Sequence, residues 1–164
     1  MSDATTPHRT PQALAAWRRL KDRPFGPWLF SRIICRRAPY FGSIRPRITA
    51  LEPGLCEAHI RDRRAVHNHI GTVHAIALCN LAELCAGVVT DASLPPGMRW
   101  IPKGMSVEYR RKASGTMRAQ ARFAFAPDTR AEGYELPVLV DVRDDAGEVV
   151  FHADIRMWLS PRKG

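Results

Sequence analysis

The spacing of apolar residues changes twice in the first half of the chain, and each change marks a different kind of element. Residues 13–38 carry apolar side chains at helical spacing, and two prolines divide this segment into two predicted amphipathic helices. From residue 44 the pattern alternates, and a Glu-Pro-Gly turn separates predicted strands over 44–51 and 55–61. Residues 70–92 form a nearly unbroken apolar run, which predicts one helix of about six turns.

The second half of the chain alternates throughout and predicts four strands, over residues 99–112, 116–125, 135–143 and 149–159. In the second of these, the inward-facing set is expected to be Met117, Ala119, Ala121, Phe123 and Phe125. Three of the joins between strands are short turns, so the sheet should be mainly antiparallel.

Period-two alternation buries one face of a sheet, and the long helix must cover that face. Because this helix is apolar nearly all round, more than one surface must contact it. The sequence therefore predicts an α+β fold, in which a curved antiparallel sheet of five to six strands wraps one central helix. We expect a disordered N-terminus over residues 1–12, a helical extension over 13–40 and the main domain over 41–164.

Composition narrows the possible settings. The net charge is +9, but basic residues do not alternate with aromatic ones as a base-stacking surface requires, so no nucleic-acid partner is expected. No run of 18 uncharged apolar residues predicts a membrane span, and the N-terminus lacks the pattern of a secretory signal. The four cysteines form no CxxC pair and sit among apolar neighbours, which indicates reduced thiols and a cytoplasmic location.

The segment His-Asn-His-Ile-Gly-Thr-Val-His at 67–74 collects the polar side chains that precede the long helix, and Glu83 is a carboxylate within the apolar run. A buried carboxylate without a role is costly, which makes Glu83 a candidate general base or nucleophile. Its alternative is a structural acid paired with an arginine. A zinc site from the three histidines lacks both an HExxH motif and a cysteine pair, so no metal is expected.

This pattern, Asn68 with Gly71-Thr72, then His74 and an acid nine residues later, resembles the signature of hotdog-fold acyl-CoA thioesterases, in the branch typified by phenylacetyl-CoA thioesterases. Residues 107–115 also resemble that family, and the likeness covers residues 44–160. Relatives usually carry two glycines after the histidine, where this chain has Ala75 and Ile76. Some also place a Ser or Thr near the position of Pro102.

The resemblance implies hydrolysis of an acyl-CoA thioester, with Glu83, Asn68 and His74 as catalytic candidates. The backbone at Ala75 would supply the oxyanion donor, with Gly71 and Thr72 shaping the loop. No cofactor is implied, since coenzyme A enters as part of the substrate. Its phosphates are expected to meet basic residues that flank the strand after the helix: Lys103, Arg110, Arg111 and Lys112.

Helix geometry adds a constraint on the candidate site. If the helix starts near Gly71, His74 and Glu83 lie roughly 180° apart around it and about 13 Å apart along it. Both can be catalytic only if they come from two subunits, so we expect an obligate homodimer, with a dimer of dimers as a further option. A stripe suited to line a pocket between subunits is Asn80, Glu83, Gly87 and Thr90.

Two other functions remain open on the same fold. The first is a non-catalytic protein that binds acyl-CoA or an acyl carrier, which the residues Ala75, Ile76 and Pro102 favour. The second is a dehydratase or hydratase, which requires a histidine paired with an acid and matches this order of residues less well. His74 also has a purely structural alternative, as a hydrogen-bonding residue at the start of the helix.

Overall fold

The computed structural model describes residues 10–162, so the predicted disorder of residues 1–12 lies mostly outside the described part. Its helices and strands are α1 (Gln12–Leu20), α2 (Gly26–Arg37), β1 (Arg47–Glu52), β2 (Leu55–Ile60), α3 (Ala75–Ser93), β3 (Met98–Tyr109), β4 (Met117–Phe123), β5 (Tyr134–Arg143) and β6 (Val149–Pro161). Short 3-10 turns occupy Pro39–Ile44 and Arg64–Val66. The predicted α+β fold is confirmed, with all six strands and both N-terminal helices in place.

All neighbouring strands pair antiparallel in one sheet, in the order β1-β2-β4-β5-β6-β3. Side chains alternate between buried and exposed along β5, as expected for a sheet covered on one face. α3 packs on that face and contacts every strand. β3 follows α3 in the chain but pairs only with β6, so it forms one edge of the sheet. β1 forms the other edge.

α3 is the core of the domain. Twelve of its 19 residues are buried, and its sequence is apolar enough to cross a membrane by length and hydropathy alone. In this fold 67% of that apolar window is buried against the sheet and the N-terminal helices. Its hydrophobicity is therefore explained by the sheet that wraps it.

α1 and α2 pack over the β1 edge and extend the core. Trp17 and Phe30 are buried and meet edge-to-face, with ring centroids 5.2 Å apart. The backbone N–H of Ile48 on β1 donates to Ser31 Oγ at 2.9 Å, and the Ser31 hydroxyl donates to the Pro27 carbonyl at 2.7 Å. α2 thus supplies an acceptor for a backbone donor of the edge strand.

Two boundary predictions were wrong for local reasons. The long helix begins at Ala75 and not at residue 70, because a hydrogen-bonded loop occupies the preceding residues. β4 ends at Phe123, so Phe125 does not face the core. Its ring is 41% exposed and lies 6.4 Å from that of Tyr134.

Candidate active site

Asn68 organises the loop before α3. Its side-chain oxygen accepts from the backbone N–H groups of Ile70 and Thr72, both at 3.1 Å, and its amide donates to Thr72 Oγ1 at 2.8 Å. Gly71 lies in the tight turn that Asn68 closes. Its φ is +80°, a conformation that favours glycine. The two polar positions of the predicted motif therefore hold each other, and the loop is fixed before any ligand is considered.

His74 is the N-cap of α3. Its Nδ1 accepts from the backbone N–H of Ile76 at 3.0 Å, which is the structural role that the sequence left open for it. The first N–H groups of a helix have no intrahelical acceptor, so Ala75 presents a donor with the positive end of the α3 dipole behind it. The His74 side chain is itself exposed, so a role toward substrate is compatible with its capping role.

The His67 side chain bonds to a carboxylate outside the motif. His67 bonds to the Asp62 carboxylate, and Asp62 also accepts from the backbone N–H of Gly115 at 2.7 Å. The hydrogen bond from His67, and then that from Gly115, lower the pKa of Asp62. Within residues 10–162, no three His, Cys, Asp or Glu side chains are grouped to hold a metal ion.

Glu83 is exposed at the middle of α3 and lines a cleft of about 770 Å³. The cleft runs between α3 and the N-terminal helices, and its walls include Phe30, Ile34 and Leu84. The expectation that Glu83 is buried is wrong for the single chain, and Glu83 is in no salt bridge with any described residue. The carboxylate instead stands at a largely apolar cavity large enough for an extended acyl group.

The four residues of the predicted polar stripe on α3 do not all line one cleft within the chain. Glu83 and Gly87 line the cleft, but Thr90 is buried and bonds to the Ala86 carbonyl at 2.7 Å. Asn80 is also buried, and its Nδ2 donates to Ser43 Oγ at 3.3 Å. The 3-10 turn that carries Ser43 covers this side of α3, which the helical period alone does not reveal.

Several residues of the cleft were missed from the sequence. Trp100 packs within 3.2 Å of the position that a Cβ on Gly87 would take, and its indole N–H donates to Asp91 at 2.7 Å. Arg37 and Arg162 also line the cavity and bring positive charge to it. They come from the end of α2 and the residue after β6, so only the packing of these elements onto α3 brings them to Glu83.

The basic residues expected to meet coenzyme A do not form one cluster. The Lys103 ammonium lies 4.2 Å from the centroid of the Trp158 ring. Arg110 pairs with Glu108 at 2.9 Å and Arg111 with Glu148 at 3.4 Å, just beyond the end of β3, whereas Lys103 lies in the middle of that strand. Lys103 and Arg110 are seven positions apart in extended chain, a distance of roughly 23 Å. Lys112 is exposed just beyond the strand.

β3 has an uncovered outer edge that lies beside the exposed side of α3. It pairs only with β6, and Ile101, Met105 and Tyr109 are exposed along it. The Tyr109 hydroxyl lies 3.4 Å from Cys79 Sγ on α3, and this hydrogen bond raises the pKa of Tyr109 to about 12. The register shifts between Pro102 and Gly104, a bulge that accommodates the proline within an edge strand.

Comparison with known proteins supports the fold and a family. Residues 26–159 match the family model described as Domain of unknown function (DUF4442). A crystal structure from a genomics programme is 44% identical to this protein. The TM-score is 0.79 over 92% of this chain and 99% of that one. No curated protein matches significantly.

Two further structures are described by an activity. A probable thioesterase of unknown function from Pseudomonas aeruginosa is 27% identical, with a TM-score of 0.72 over 83% of this chain and 97% of that one. A thioesterase from Haemophilus influenzae is 15% identical, with a TM-score of 0.69 over 87% and 95%, a likeness that shows the fold alone. The chain therefore belongs to the DUF4442 family and has the hotdog thioesterase-like fold.

Proposed function

We propose that this protein is an acyl-CoA thioesterase whose essential carboxylate is Glu83. The observation that carries the proposal is the position of Glu83, an exposed carboxylate on α3 that lines a largely apolar cleft, where the other carboxylate of the helix, Asp91, is bonded to the Trp100 indole. The Pseudomonas aeruginosa structure described as a probable thioesterase supports the same reaction class. The resemblance to the phenylacetyl-CoA branch rests on the motif at residues 68–74 and belongs to this proposal.

In the proposed reaction, water or the carboxylate itself attacks the thioester carbonyl, and the coenzyme A thiol leaves. In the first case Glu83 accepts the proton of the attacking water, and the thiolate of coenzyme A takes up a proton as the acid is released. In the second case Glu83 forms an anhydride with the acyl group as the thiolate leaves, and water then hydrolyses the anhydride to the free acid and the carboxylate. The Ala75 N–H, at the positive end of α3, stabilises the oxyanion. Because Ala75 and Glu83 are eight residues apart on one helix, about 12 Å along its axis, they act on one substrate only if each comes from a different subunit.

We propose that the second subunit pairs along β3. A long edge strand with exposed apolar side chains is a template for another strand, and a twofold axis through β3 would place the two copies of it antiparallel. Tyr109 and Trp100 join β3 to the exposed side of α3, so the same contact would bring the partner's α3 N-terminus toward Glu83. The homodimer and the shared site thus form one hypothesis.

Coenzyme A would then lie with its phosphates near the end of β3. We propose Arg110 and Arg111 as their ligands, since both are exposed and adjacent. Arg110→Ala should raise KM for acyl-CoA several-fold and leave kcat nearly unchanged. Lys103 reaches the same substrate only across the dimer, so Lys103→Ala should have the smaller effect on KM.

The test is thiol release from a panel of acyl-CoA chain lengths. Glu83→Gln should lower kcat at least about 100-fold, because it removes the base or nucleophile while keeping the side chain's size. Glu135→Gln is the matched control, an exposed glutamate on β5 outside the cleft, and it should leave kcat unchanged. Undiminished activity of Glu83→Gln would show that the reaction does not use this carboxylate.

A non-catalytic acyl-CoA binding protein is the second candidate. Ile76 favours it, because its side chain is 55% exposed beside the helix start, where relatives of the thioesterase type carry glycine. If this candidate holds, wild type and Glu83→Gln both release no thiol, and both bind acyl-CoA in calorimetry. Replacing Ala75 and Ile76 by glycines should raise kcat if these side chains limit an active enzyme.

A further inference from the structure

The positive charge of this protein is concentrated in one segment. Residues 10–47 contain nine lysines and arginines and one acidic residue, Asp22, which gives this segment a net charge of +8 against +9 for the whole chain. The segment comprises α1, α2 and the turn that leads to β1. The strands and α3 are close to neutral, so any long-range attraction of an anionic partner is directed at the N-terminal helices.

Exposed apolar side chains occur at the same place. Phe25 is 79% exposed at the turn between α1 and α2, and Trp28 and Leu29 follow it on the first turn of α2 at 51% and 43%. Ile33 continues this outward face one turn later. We call Phe25, Trp28 and Leu29 the apolar tip. Large side chains of this kind side by side on a surface mark an interaction site.

The backbone holds the apolar tip out. Phe25 is the N-cap of α2 and has a φ of 59°, a left-handed conformation that is uncommon for an aromatic residue. The next residue, Gly26, lies so close to α1 that an added Cβ would be 1.7 Å from the Leu20 carbonyl oxygen. Close packing of the two helices therefore fixes the turn and presents the Phe25 ring to solvent.

Six exposed basic residues lie within seven positions of the tip along the chain. Arg32 and Arg36 are exposed on α2, and Arg18, Arg19, Lys21 and Arg23 are exposed on the preceding helix and turn. Within the described chain, none of these six pairs with a carboxylate within 4.0 Å. Exposed apolar side chains close to unpaired arginines match a partner that has an apolar layer beneath an anionic surface.

We propose that the apolar tip and its surrounding basic residues bind the surface of an anionic lipid bilayer. Phe25, Trp28 and Leu29 would enter the boundary between head groups and acyl chains, and the arginines would meet lipid phosphates. A second copy of this chain is disfavoured as the occupant, because a twofold contact would press two surfaces of the same positive charge together. A nucleic acid would satisfy the arginines but would leave Leu29 and Ile33 without an apolar partner.

The position of this surface is compatible with the proposed homodimer. α2 packs against β1, at the opposite end of the strand order from β3. Ile33 and Arg37 also line the cleft that contains Glu83, so the membrane-facing side of α2 borders the cavity. A protein bound in this way would hold its cleft next to the bilayer.

The test is co-sedimentation of the full chain with vesicles of phosphatidylcholine, with and without one third phosphatidylglycerol. We expect binding to the anionic vesicles at low salt, loss of it at high salt, and little binding to the neutral ones. Arg32→Gln with Arg36→Gln should weaken the partition coefficient about 30-fold, since each basic residue near such a surface contributes roughly 1 kcal/mol. The exposed pair Arg122→Gln and Arg143→Gln, on β4 and β5, is the charge-matched control and should change it far less.

A second pair of variants tests the apolar tip. Phe25→Asn, which tolerates the left-handed backbone, with Trp28→Gln should weaken binding at least tenfold at unchanged net charge. The control is Phe125→Asn with Leu139→Gln, and circular dichroism checks that all variants fold. The proposal is overturned if wild type does not bind anionic vesicles at low salt, or if tip and control variants bind alike. It is also overturned if the tip variants still bind vesicles but change the oligomeric state. Continued vesicle binding together with the loss of an acidic protein partner would overturn it as well.

Discussion

β1 and β3 are the two edge strands of the sheet, and the described chain covers only the first. At β1, α2 lies against the strand and Ser31 accepts from the Ile48 N–H. β3 is twice as long, with 12 residues against six, and its outer edge meets no other described element. Ile101, Met105 and Tyr109 are exposed along it.

The difference indicates that the β1 edge is covered within the chain, whereas the β3 edge is available to a second copy. Proteins protect edge strands with charges, short length or a covering element, and β1 has the last two. β3 has a bulge and Lys103 but keeps apolar residues along most of its length. We therefore propose that self-association, if it occurs, uses the β3 edge, and each of the four variants or variant pairs below changes one edge or its surroundings.

The largest effect is expected beneath the covered edge. Phe30→Ala should lower the free energy of unfolding by about 3–5 kcal/mol, because Phe30 is 1% exposed and its ring packs on Trp17. Its neighbour Leu29 on the outer face is the control, and Leu29→Ala should change stability by less than about 0.5 kcal/mol. Urea unfolding followed by circular dichroism measures both. Equal losses would mean that α2 does not close the core as described.

The next effect is expected at the uncovered edge. Ile101→Lys with Met105→Lys should weaken dimerisation about 100-fold or more, since each places a charge in the proposed contact. Sedimentation velocity measures the dissociation, and thiol release should fall in parallel if the site is shared between subunits. Thr49→Lys, an exposed change on β1, should leave the dimer intact. A stable monomer in wild type would remove the basis of this assignment.

A smaller effect is expected from the hydrogen bond that closes the covered edge. Ser31→Ala leaves the buried Ile48 N–H without its acceptor and should lower the free energy of unfolding by about 1–2 kcal/mol. Ser106→Ala is the comparison, because Ser106 is exposed on β3, the uncovered edge. Thermal unfolding of the two variants side by side should show the larger decrease in Tm for Ser31→Ala. A smaller decrease for Ser31→Ala would argue against the edge contact.

The smallest effect is a pH dependence next to the covered edge. Burial, and then the neighbouring Arg47 and Arg118, lower the pKa of His59 on β2 below its usual 6.5. The unfolded chain therefore binds a proton more readily than the folded one, and stability should fall as the pH drops below about 6.5. His59→Gln should reduce this loss between pH 7.5 and 5.5. Thermal scans at both values test it, and an identical pH dependence in the variant would contradict the assignment.

Much of the fold could be predicted because each element carries its own period. The alternation in β5 and β6 marked a sheet covered on one face, and the apolar run of α3 required contact on several sides. The start of α3 could not be placed in this way. Residues 70–74 continue the apolar pattern, but the Asn68 side chain bonds to the loop backbone and delays the helix until His74 caps it.

The residues of the candidate site also differ in whether the sequence alone points to them. Glu83 stands out in the sequence as a carboxylate within an apolar helix, and the resemblance of residues 68–74 to the thioesterase signature adds Asn68 and His74 as candidates. Asn80 and Thr90 share the helical face of Glu83 but are buried by neighbouring elements. Arg37 and Trp100 line the cleft although nothing near them in the sequence points to Glu83.

By itself, the sequence determined the elements, their antiparallel joins and the carboxylate Glu83 within the apolar run of the central helix, because these depend on local spacing and on which side chains tolerate water. The tertiary structure decided which face of each element stays open. In the tertiary structure α2 covers β1, and the outer edge of β3 stays uncovered. Glu83 lies in a cleft that is also lined by arginines from distant segments. Those outcomes depend on how elements far apart in the chain pack together, and no local pattern records that packing.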